Sequence, residues 1–223
     1  MKRGFGLFCA VVLSFFCSTA NAQSSSPFYA GFFGGMAFES KAEVDDKSSF
    51  RLNYEDLKLD NGITFGAKVG YLIPNRILGI ELEYSYIGNI NVKDQDAFTY
   101  AGNSYKVQAD MYTSNIFLNL LLRYPESSFH PFIGAGFGMS WIEVKDAKVN
   151  PTLPGYPITN AGNSTHDNCL AYQVFLGLEY DISPGITLTG TYKYFHVEPS
   201  FADILVDAKI RSNLVTLGMN FSF

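Results

Sequence analysis

Hydrophobic and polar residues alternate with a period of two in successive segments of the chain. Between Ile63 and Tyr71 every odd position is apolar, and the residues between them are small or polar. This alternation predicts a β-strand with one apolar and one polar face. The pattern returns in residues 78–86, 116–124, 133–141, 170–180, 186–194 and 215–223. With a less regular opening segment at 28–38, the sequence predicts eight strands.

The links between these strands are alternately short and long. Short links carry turn-forming residues at 74–75, 125–128 and 183–185, whereas long polar links cover about 39–61, 88–110, 144–168 and 197–212. Long links on one side and short turns on the other are typical of an outer-membrane barrel, whose short turns face the periplasm. We therefore predict an all-β fold: an eight-stranded antiparallel up-and-down transmembrane β-barrel with short periplasmic turns and four long extracellular loops.

Charged residues lie on the polar face of these strands. They are Lys68, Glu81, Glu83, Arg123, Glu179, Asp181 and Lys193. A water-soluble barrel of the lipocalin type is the alternative, but it buries its apolar face inward, and charges fit a hydrated membrane-barrel lumen better than a dry core. We predict that these seven residues form a charge network in the lumen.

The hairpin between the second and third strands gives this network a specific ion pair. A two-residue turn at Pro74–Asn75 sets Lys68 opposite Glu81, and a shift of two residues sets it opposite Glu83. Either alignment gives Lys68 an acidic neighbour. The pair would gate an aqueous path or only compensate charge in a filled lumen, and the small diameter of an eight-stranded barrel favours compensation.

Aromatic residues cluster near the predicted strand ends. The chain contains 20 Phe and 14 Tyr, with 17% charged residues, an aromatic excess that needs a large core or a lipid environment. Aromatic rings prefer the membrane–water interface. We predict membrane-interface positions for Tyr71, Tyr124 and Tyr180 on the periplasmic side and for Tyr84, Tyr86, Trp141, Tyr172 and Tyr194 on the outer side.

The N-terminal segment has the pattern of an export signal. Lys2 and Arg3 precede an apolar run over residues 7–16, and Ala20-Asn21-Ala22 is a cleavage sequence. We predict a signal peptide at 1–22 and one barrel domain at 23–223. No later segment has 18 consecutive apolar residues, and a net charge of −5 offers no basic surface for nucleic acid.

Candidate sites for chemistry are weak. His196 lies near the end of the seventh strand, where its parity places it with the lipid-facing residues near the rim, and it has no serine at catalytic spacing. His166-Asp167 precedes Cys169 in the third long link. Acidic residues in the first long link lack the regular calcium-loop pattern. Cys169, alone after the signal, is expected to be an isolated thiol, although a disulfide between two barrels is an alternative. We predict no catalytic residues, no metal and no cofactor.

The sequence resembles the small eight-stranded outer-membrane β-barrel family, which includes the OmpA transmembrane domain, OmpX and related surface-antigen and porin-like barrels of Gram-negative bacteria. The resemblance spans about residues 27–223. It rests on the opening Phe28-Tyr29-Ala30-Gly31, the glycine-rich segment 131–138, the segment 190–195 and the ending Asn220-Phe221-Ser222-Phe223.

The resemblance implies location in the bacterial outer membrane. Phe221 and Phe223 look like the family's terminal signal for the barrel assembly machinery. Expected partners are outer-membrane lipid, lipopolysaccharide and an extracellular or host ligand of the loops, and the expected state is a monomer. OmpA-type members add a peptidoglycan-binding domain after the barrel, which we do not expect here.

The resemblance also limits the expected function. It favours a structural and surface-exposed interaction protein, adhesion-like or antigen-like, and not an enzyme. A minor porin that conducts ions or small solutes is the first alternative, and a lipid A-modifying enzyme is the second. The fold alone does not separate them, because one fold hosts many functions.

Overall fold

A computed structural model of the protein describes residues 27–47, 57–73, 76–91, 96–126, 128–151, 164–201 and 206–223. The predicted export signal at 1–22 and the predicted Pro74–Asn75 turn lie outside these residues. The strands in the described ranges are β1 (Phe28–Asp46), β2 (Leu57–Lys58), β3 (Gly62–Leu72), β4 (Leu78–Asn91), β5 (Asp96–Tyr100), β6 (Asn103–Arg123), β7 (Phe129–Asn150), β8 (Ser164–Ser183), β9 (Ile186–Val197), β10 (Ser200–Phe201) and β11 (Val206–Ser222).

Eight long strands form a closed antiparallel ring. Going around the barrel, their order is β1, β3, β4, β6, β7, β8, β9 and β11, and β11 then pairs with β1. The closing pair aligns Tyr29 with Ser222 and Phe38 with Asn213. Strands β2, β5 and β10 are short additions that pair with β1, β6 and β11. The predicted eight-stranded up-and-down barrel is confirmed.

The strands are much longer than a membrane requires. Strand β6 has 21 residues and β7 has 22, whereas about 9–11 residues suffice to cross a bilayer. The extra length lies on the side of the long links, so much of the predicted links at 88–110 and 144–168 is in fact strand. The prediction of polar loops over these whole ranges was wrong. The apolar residues there also alternate with polar ones, but they lie on the inward face of the strand instead of the outward face.

Strand β7 shows this reversal clearly. From Ile133 to Trp141 the apolar side chains point outward, with Phe137 62% exposed. Beyond Trp141, Ile142 and Val144 point inward and are 1% and 8% exposed, while Glu143 and Lys145 point outward. Polar-out and apolar-in is the pattern of a water-soluble barrel. The side-chain pattern of the strand therefore changes near Trp141 from apolar-out to the polar-out pattern of a soluble barrel.

A bulge in β1 helps to make this change. One extra residue is inserted in β1 between Phe38 and Lys41, where Glu39 and Ser40 lie opposite the single residue Ser212 of β11, and Glu39 has a φ of 49°. A bulge of this kind reverses which parity faces inward. After it Ala42 is buried, the Ser40 hydroxyl lies 2.6 Å from the Ser212 hydroxyl inside the barrel, and Lys41 faces outward.

The interior consists of two zones. The extracellular half contains an apolar core; its members include Ala42, Ile90, Phe98, Tyr105, Val107, Met111, Ile142, Val144, Val149, Val197 and Ile210. The periplasmic half holds charged, amide and aromatic side chains. Glycine makes room for the aromatic rings there, since a Cβ at Gly177 would lie 2.4 Å from Phe132 Cζ. The polar zone is the candidate functional site.

Candidate functional site

The first part of the site is the ion pair between Lys68 and Glu81. The Cα register aligns Lys68 with Glu83, yet Lys68 Nζ donates to Glu81 Oε1 over 2.7 Å. Both groups are almost fully buried, and the Tyr29 hydroxyl donates to the same carboxylate at 2.5 Å. The strand alignment is thus the predicted alternative that sets Lys68 opposite Glu83. The ion pair nevertheless forms diagonally, between Lys68 and Glu81.

Glu83 has a partner on the opposite wall. Lys193 Nζ on β9 donates to Glu83 Oε1 over 2.5 Å across the lumen, and the two residues are separated by 110 positions in sequence. Asn119 donates to the second oxygen of Glu83 at 3.0 Å, and Gln173 donates to Asn119 at 2.9 Å. Lys193 also lies 4.4 Å from the centroid of the Phe33 ring. Such a lysine is stabilised by both a carboxylate and an aromatic face.

The periplasmic end carries the remaining charges. Arg123 Nε donates to Glu179 Oε2 over 2.6 Å, and Asn220 donates to the other oxygen at 3.1 Å. Asp181 differs from the prediction, because its side chain is 45% exposed at the periplasmic mouth. It lies 3.0 Å from the His130 ring and accepts from Thr187 at 2.9 Å. Asp181 therefore belongs to the rim and not to the buried lumen.

Side chains leave little space in the lumen beside the two lysines. Phe33, Phe132 and Phe175 surround a cavity of about 10 Å³ beside Lys68 and Lys193. This volume is close to the minimum for a single water molecule. On the periplasmic side the space opens to about 310 Å³, lined by Tyr29, Arg76, Arg123, Glu179 and Asn220 among others. Toward the outside lies the apolar core of the extracellular half.

Seven of the eight predicted interface aromatics lie on the outward-facing rows of their strands, and Tyr124 directly follows the end of β6. Tyr84, Tyr124, Trp141, Tyr172 and Tyr180 are between 39% and 52% exposed, and Tyr71, Tyr86 and Tyr194 are partly exposed. Several form ring pairs, with Tyr71 at 4.8 Å from Phe28 and Tyr180 at 4.6 Å from Phe129. Their position in a bilayer remains a prediction.

The weaker candidates do not join the lumen network. His196 lies in the outward row opposite Tyr172 but is only 6% exposed, so it is not the lipid-exposed rim residue that its parity predicts. It stacks on Tyr172 at 4.7 Å and contacts Glu198 at 3.1 Å. A neighbouring aromatic and the returning chain after Val197 cover it.

His166, Asp167 and Cys169 belong to β8 and not to a loop. Asp167 accepts from the Ser200 backbone at 2.7 Å, and His166 is exposed. Cys169 is partly buried against the apolar core, with its Sγ 3.9 Å from the Ser140 carbonyl oxygen. This inward position disfavours a disulfide between barrels. Among the described residues, no group of three or more potential ligand side chains could hold a metal ion.

The sequence pattern missed the uncharged members of the network. Tyr29, Asn119, Gln173, His130 and Asn220 bond directly to its carboxylates or extend it. Asn119 and Gln173 share the inward parity of their strands, which is the signal that would have found them. Tyr29 was hidden by the irregular alternation of β1. No helix in the described ranges has the length and apolarity needed to cross a membrane.

Comparison with known proteins agrees with this architecture. The family of the outer membrane protein beta-barrel domain matches residues 8–223. No curated protein matches the chain. Among solved structures, Neisserial surface protein A is 18% identical with a TM-score of 0.57, covering 89% of this chain and 98% of its own.

Two further structures share the fold at lower identity. The outer membrane protein OprG from Pseudomonas aeruginosa is 14% identical with a TM-score of 0.53, covering 91% of this chain and 100% of its own. The outer membrane protease OmpT from Escherichia coli is 10% identical with a TM-score of 0.51, covering 91% of this chain and 98% of its own. At these identities the likeness concerns the fold. The chain belongs to the outer membrane protein beta-barrel domain family and is a barrel of the bacterial outer membrane.

Proposed function

We propose that this protein is a surface-exposed interaction barrel, which uses a rigid extracellular extension to present its loops to an external partner. The observation that carries this proposal is the reversal of polarity at the outer membrane boundary. On the extracellular side of Trp141 the barrel continues around an apolar core that includes Val107, Ile142 and Val144. A packed, hydrogen-bonded extension carries the ends of the long strands beyond the membrane, which gives binding loops a rigid scaffold.

The obstruction of the lumen supports a structural role for the charge network. A steady ion path needs a continuous hydrated passage, whereas the cavity beside Lys68 and Lys193 holds about 10 Å³. Lys68 and Lys193 are each paired with a glutamate, so the lumen charges compensate one another. Charge compensation in a filled barrel is therefore the role we assign to Lys68, Glu81, Glu83, Arg123, Glu179 and Lys193.

A minor porin is the second candidate, and one observation favours it. The periplasmic vestibule of about 310 Å³ is lined by Arg76, Arg123 and Glu179, so water and ions enter the barrel from that side. Conduction through the whole barrel would require the Lys193–Glu83 contact and the phenylalanine ring cluster to separate.

We assign no enzymatic role to this barrel. Its histidines are each occupied by a structural contact or isolated: His130 contacts Asp181, His196 contacts Glu198, and His166 is exposed on β8. We propose the remaining roles from the sequence pattern and the family resemblance. Residues 1–22 would direct export, Phe221 and Phe223 would form the assembly signal, and the outward aromatics would contact lipid and lipopolysaccharide at the two interfaces.

A surface-binding experiment tests the main proposal. Bacteria that carry the full chain would be compared with bacteria in which residues 48–56, 92–95, 152–163 and 202–205 are replaced by Gly-Ser sequences of equal length. We expect retention of the bacteria with the replaced chain on cultured epithelial cells to fall to the level of bacteria that lack the protein. Heat-modifiable gel migration checks that the barrel still folds. Undiminished retention of the replaced chain would contradict the proposal.

Conductance separates the two candidates. The refolded chain in a planar bilayer is expected to be electrically silent, because Phe33, Phe132 and Phe175 close the lumen. A steady conductance that changes in Lys68→Ala would place an ion path beside the buried charges and favour the porin.

A further inference from the structure

We infer that the periplasmic vestibule is a binding site for a small polyhydroxylated monocarboxylate, a ligand of the sugar-acid class. The vestibule has a volume of about 310 Å³, and Arg123, Glu179 and Asn220 are among its lining residues. Pockets for small organic ligands begin at about 300 Å³. The inference does not rest on the proposed surface interaction, because the two sites lie at opposite ends of the barrel.

Arg123 lies on the floor of the vestibule and is held there through one nitrogen atom. Its Nε donates to Glu179 Oε2 over 2.6 Å, and neither Nη atom has a hydrogen-bond partner within the described ranges. The side chain is only 6% exposed, yet its Nη atoms are not sealed from solvent. Their N–H groups therefore open into the vestibule. Two parallel N–H groups of an arginine match the two oxygens of a carboxylate.

The neighbours of Arg123 fix its orientation. Glu179 receives the Nε hydrogen bond on one oxygen and a hydrogen bond from Asn220 Nδ2 on the other, at 3.1 Å. All three residues are buried, and they come from β6, β8 and β11. A side chain that is held in this way loses little conformational freedom when a ligand binds, so its terminal N–H groups are positioned in advance.

The rim of the vestibule supplies neutral hydrogen-bonding groups. The β8–β9 hairpin contributes Ser183 and Thr187, and the end of β11 contributes Ser222. The Ser222 amide donates to the Gly185 carbonyl oxygen at 2.9 Å, which joins this hairpin to β11. Hydroxyl groups both donate and accept hydrogen bonds, so they complement the hydroxyl groups of a ligand. We therefore assign to the ligand a hydroxylated body next to its carboxylate.

The charges around the vestibule favour a ligand with one negative charge. Glu179 and Asp181 both line it, and Glu179 already takes up part of the charge of Arg123. A phosphate monoester carries about −1.5 to −2 at neutral pH, so these carboxylates repel it more strongly than they repel a monocarboxylate. Arg76, the other cation of the lining, has contacts of its own. Arg123 is therefore the group that we assign to the ligand carboxylate.

The inward side of the vestibule is narrow. Tyr29 lines it, and the Tyr29 hydroxyl donates to Glu81. Farther in, the cavity beside Lys68 and Lys193 holds about 10 Å³. A ligand that enters from the periplasm therefore stops beside Tyr29 and Arg123, and its binding does not require conduction through the barrel.

The test is a titration of the isotope-labelled refolded chain in detergent micelles with sodium gluconate, followed by NMR. We expect saturable shifts of the Arg123 Nε–H signal and of the Ser183 and Gly185 amides, which border the vestibule. The amides of Val107 and Ile142 lie around the extracellular core, and their signals are expected to stay unchanged.

Three further ligands test the chemical class on the unmodified chain. Sorbitol is the neutral counterpart of gluconate and is expected to bind at least about tenfold more weakly, because it lacks the charged hydrogen bonds. Acetate has the carboxylate without the hydroxylated body and is expected to lose at least about tenfold. Sorbitol 6-phosphate should bind at least about threefold more weakly than gluconate, because Glu179 and Asp181 repel its additional charge.

A matched pair of variants tests the role of Arg123. Arg123→Lys keeps a positive charge beside Glu179 but removes the paired N–H groups, so gluconate should bind at least about tenfold more weakly. Arg211→Lys is the control, because Arg211 also bonds to a glutamate, Glu43, at 2.9 Å but on the extracellular side. This variant should bind gluconate within about twofold of the parent.

A second pair leaves the buried charges unchanged. Ser183→Phe crowds the vestibule from its exposed rim, and we expect it to weaken gluconate binding at least about threefold. Ser128→Phe adds the same ring at an exposed serine of another periplasmic turn, outside the vestibule lining, and should have no effect. Heat-modifiable migration monitors the folding of every variant.

Each arm has an outcome that contradicts the inference. Absence of saturable shifts with gluconate would mean that the vestibule holds water only. Equal binding of sorbitol, acetate or sorbitol 6-phosphate would overturn the carboxylate, the hydroxylated body or the single charge, respectively. Equal losses in Arg123→Lys and Arg211→Lys would remove Arg123 from the site, and equal binding by the two serine variants would place the ligand elsewhere.

Discussion

Buried charges determine the interior of the barrel at the residue scale. Lys68, Glu81, Glu83 and Lys193 are almost inaccessible to solvent, and each has an oppositely charged partner within 2.7 Å. Removing one partner from a buried pair leaves an uncompensated charge, which costs about 3–5 kcal/mol. Each lysine is thus paired with the glutamate that neutralises it. Loss of either glutamate is therefore expected to destabilise the charge network of the lumen.

A double-mutant cycle tests which glutamate Lys68 needs. Lys68→Met and Glu81→Gln are expected to show a coupling of about 0.5–3 kcal/mol, because the two groups are in direct contact. The control cycle of Lys68→Met with Glu83→Gln should give a smaller value, since Glu83 bonds to Lys193. Reversible urea unfolding of the chain in lipid vesicles provides the free energies. Equal coupling in both cycles would contradict the diagonal pairing.

An exposed pair on the extracellular side predicts a pH effect. Lys47 Nζ lies 2.5 Å from Asp207, and the hydrogen bonds from Lys47 and then Ser200 hold the pKa of Asp207 below its ordinary value. The contribution of this pair is therefore present above the ordinary aspartate pKa and is lost as pH falls through the lowered one.

Carboxyl NMR titration measures this shift. In Lys47→Ala the midpoint of Asp207 should rise toward about 3.9, because its main hydrogen-bond donor is gone. Lys145→Ala serves as the control, since Lys145 bonds to Glu143 instead. An unchanged Asp207 midpoint in Lys47→Ala would refute the assignment.

Reversal of side-chain pattern is the main feature at the element scale. Strand β7 presents Phe137 outward at 62% exposure and, farther along, presents Glu143 outward and buries Ile142. We therefore expect one strand to face two solvents, lipid on the periplasmic side of Trp141 and water on its extracellular side. The bulge between Phe38 and Lys41 has the corresponding effect in β1.

Arginine substitutions along the outward row of β7 test the position of the boundary. Phe137→Arg is expected to cost about 2–4 kcal/mol, as arginine does near the bilayer midplane. Glu143→Arg should stay within about 0.5 kcal/mol, because the side chain remains in water. Unfolding free energies in vesicles give the comparison. Similar costs at the two positions would contradict a boundary near Trp141.

A single continuous barrel is the main feature of the whole molecule. The ring closes through β1 and β11 over nearly their full lengths, from Tyr29 paired with Ser222 to Asp45 paired with Asp207. The same eight long strands thus enclose both the polar lumen and the apolar core of the extracellular half. Rigid continuity of this kind is what the proposed interaction function requires.

Hydrogen exchange tests this continuity. The amides of Val107, Ile142 and Val144 are expected to exchange as slowly as those of Leu118 and Leu120, since both sets lie in paired strands around a closed interior. The measurement is mass-resolved exchange of the refolded chain in vesicles. Exchange of the first set at the rate of unprotected amides would mean that the barrel ends at the membrane surface.

The sequence by itself determined the membrane barrel. Period-two alternation with apolar side chains on one face dictated eight strands, and the charges on the opposite face dictated a polar lumen, because side-chain direction in a strand follows parity. The inward position of Glu83 and the outward position of Tyr172 could be predicted from the sequence in this way. For the partner of Lys68, the sequence left two possibilities, Glu81 and Glu83.

Only the tertiary structure decided the contacts between distant strands. Lys193 meets Glu83 across 110 positions, and register and barrel curvature bring them together, which no local pattern encodes. The extracellular core was concealed in two ways. Bulges in β1 and β4 change parity and interrupt the alternation that reveals a strand, whereas in β7 the apolar residues move from the outward row to the inward row near Trp141 without a bulge. Closure of the barrel likewise places Lys41 of β1 opposite Arg211 of β11, two residues near opposite ends of the barrel sequence that no local pattern connects.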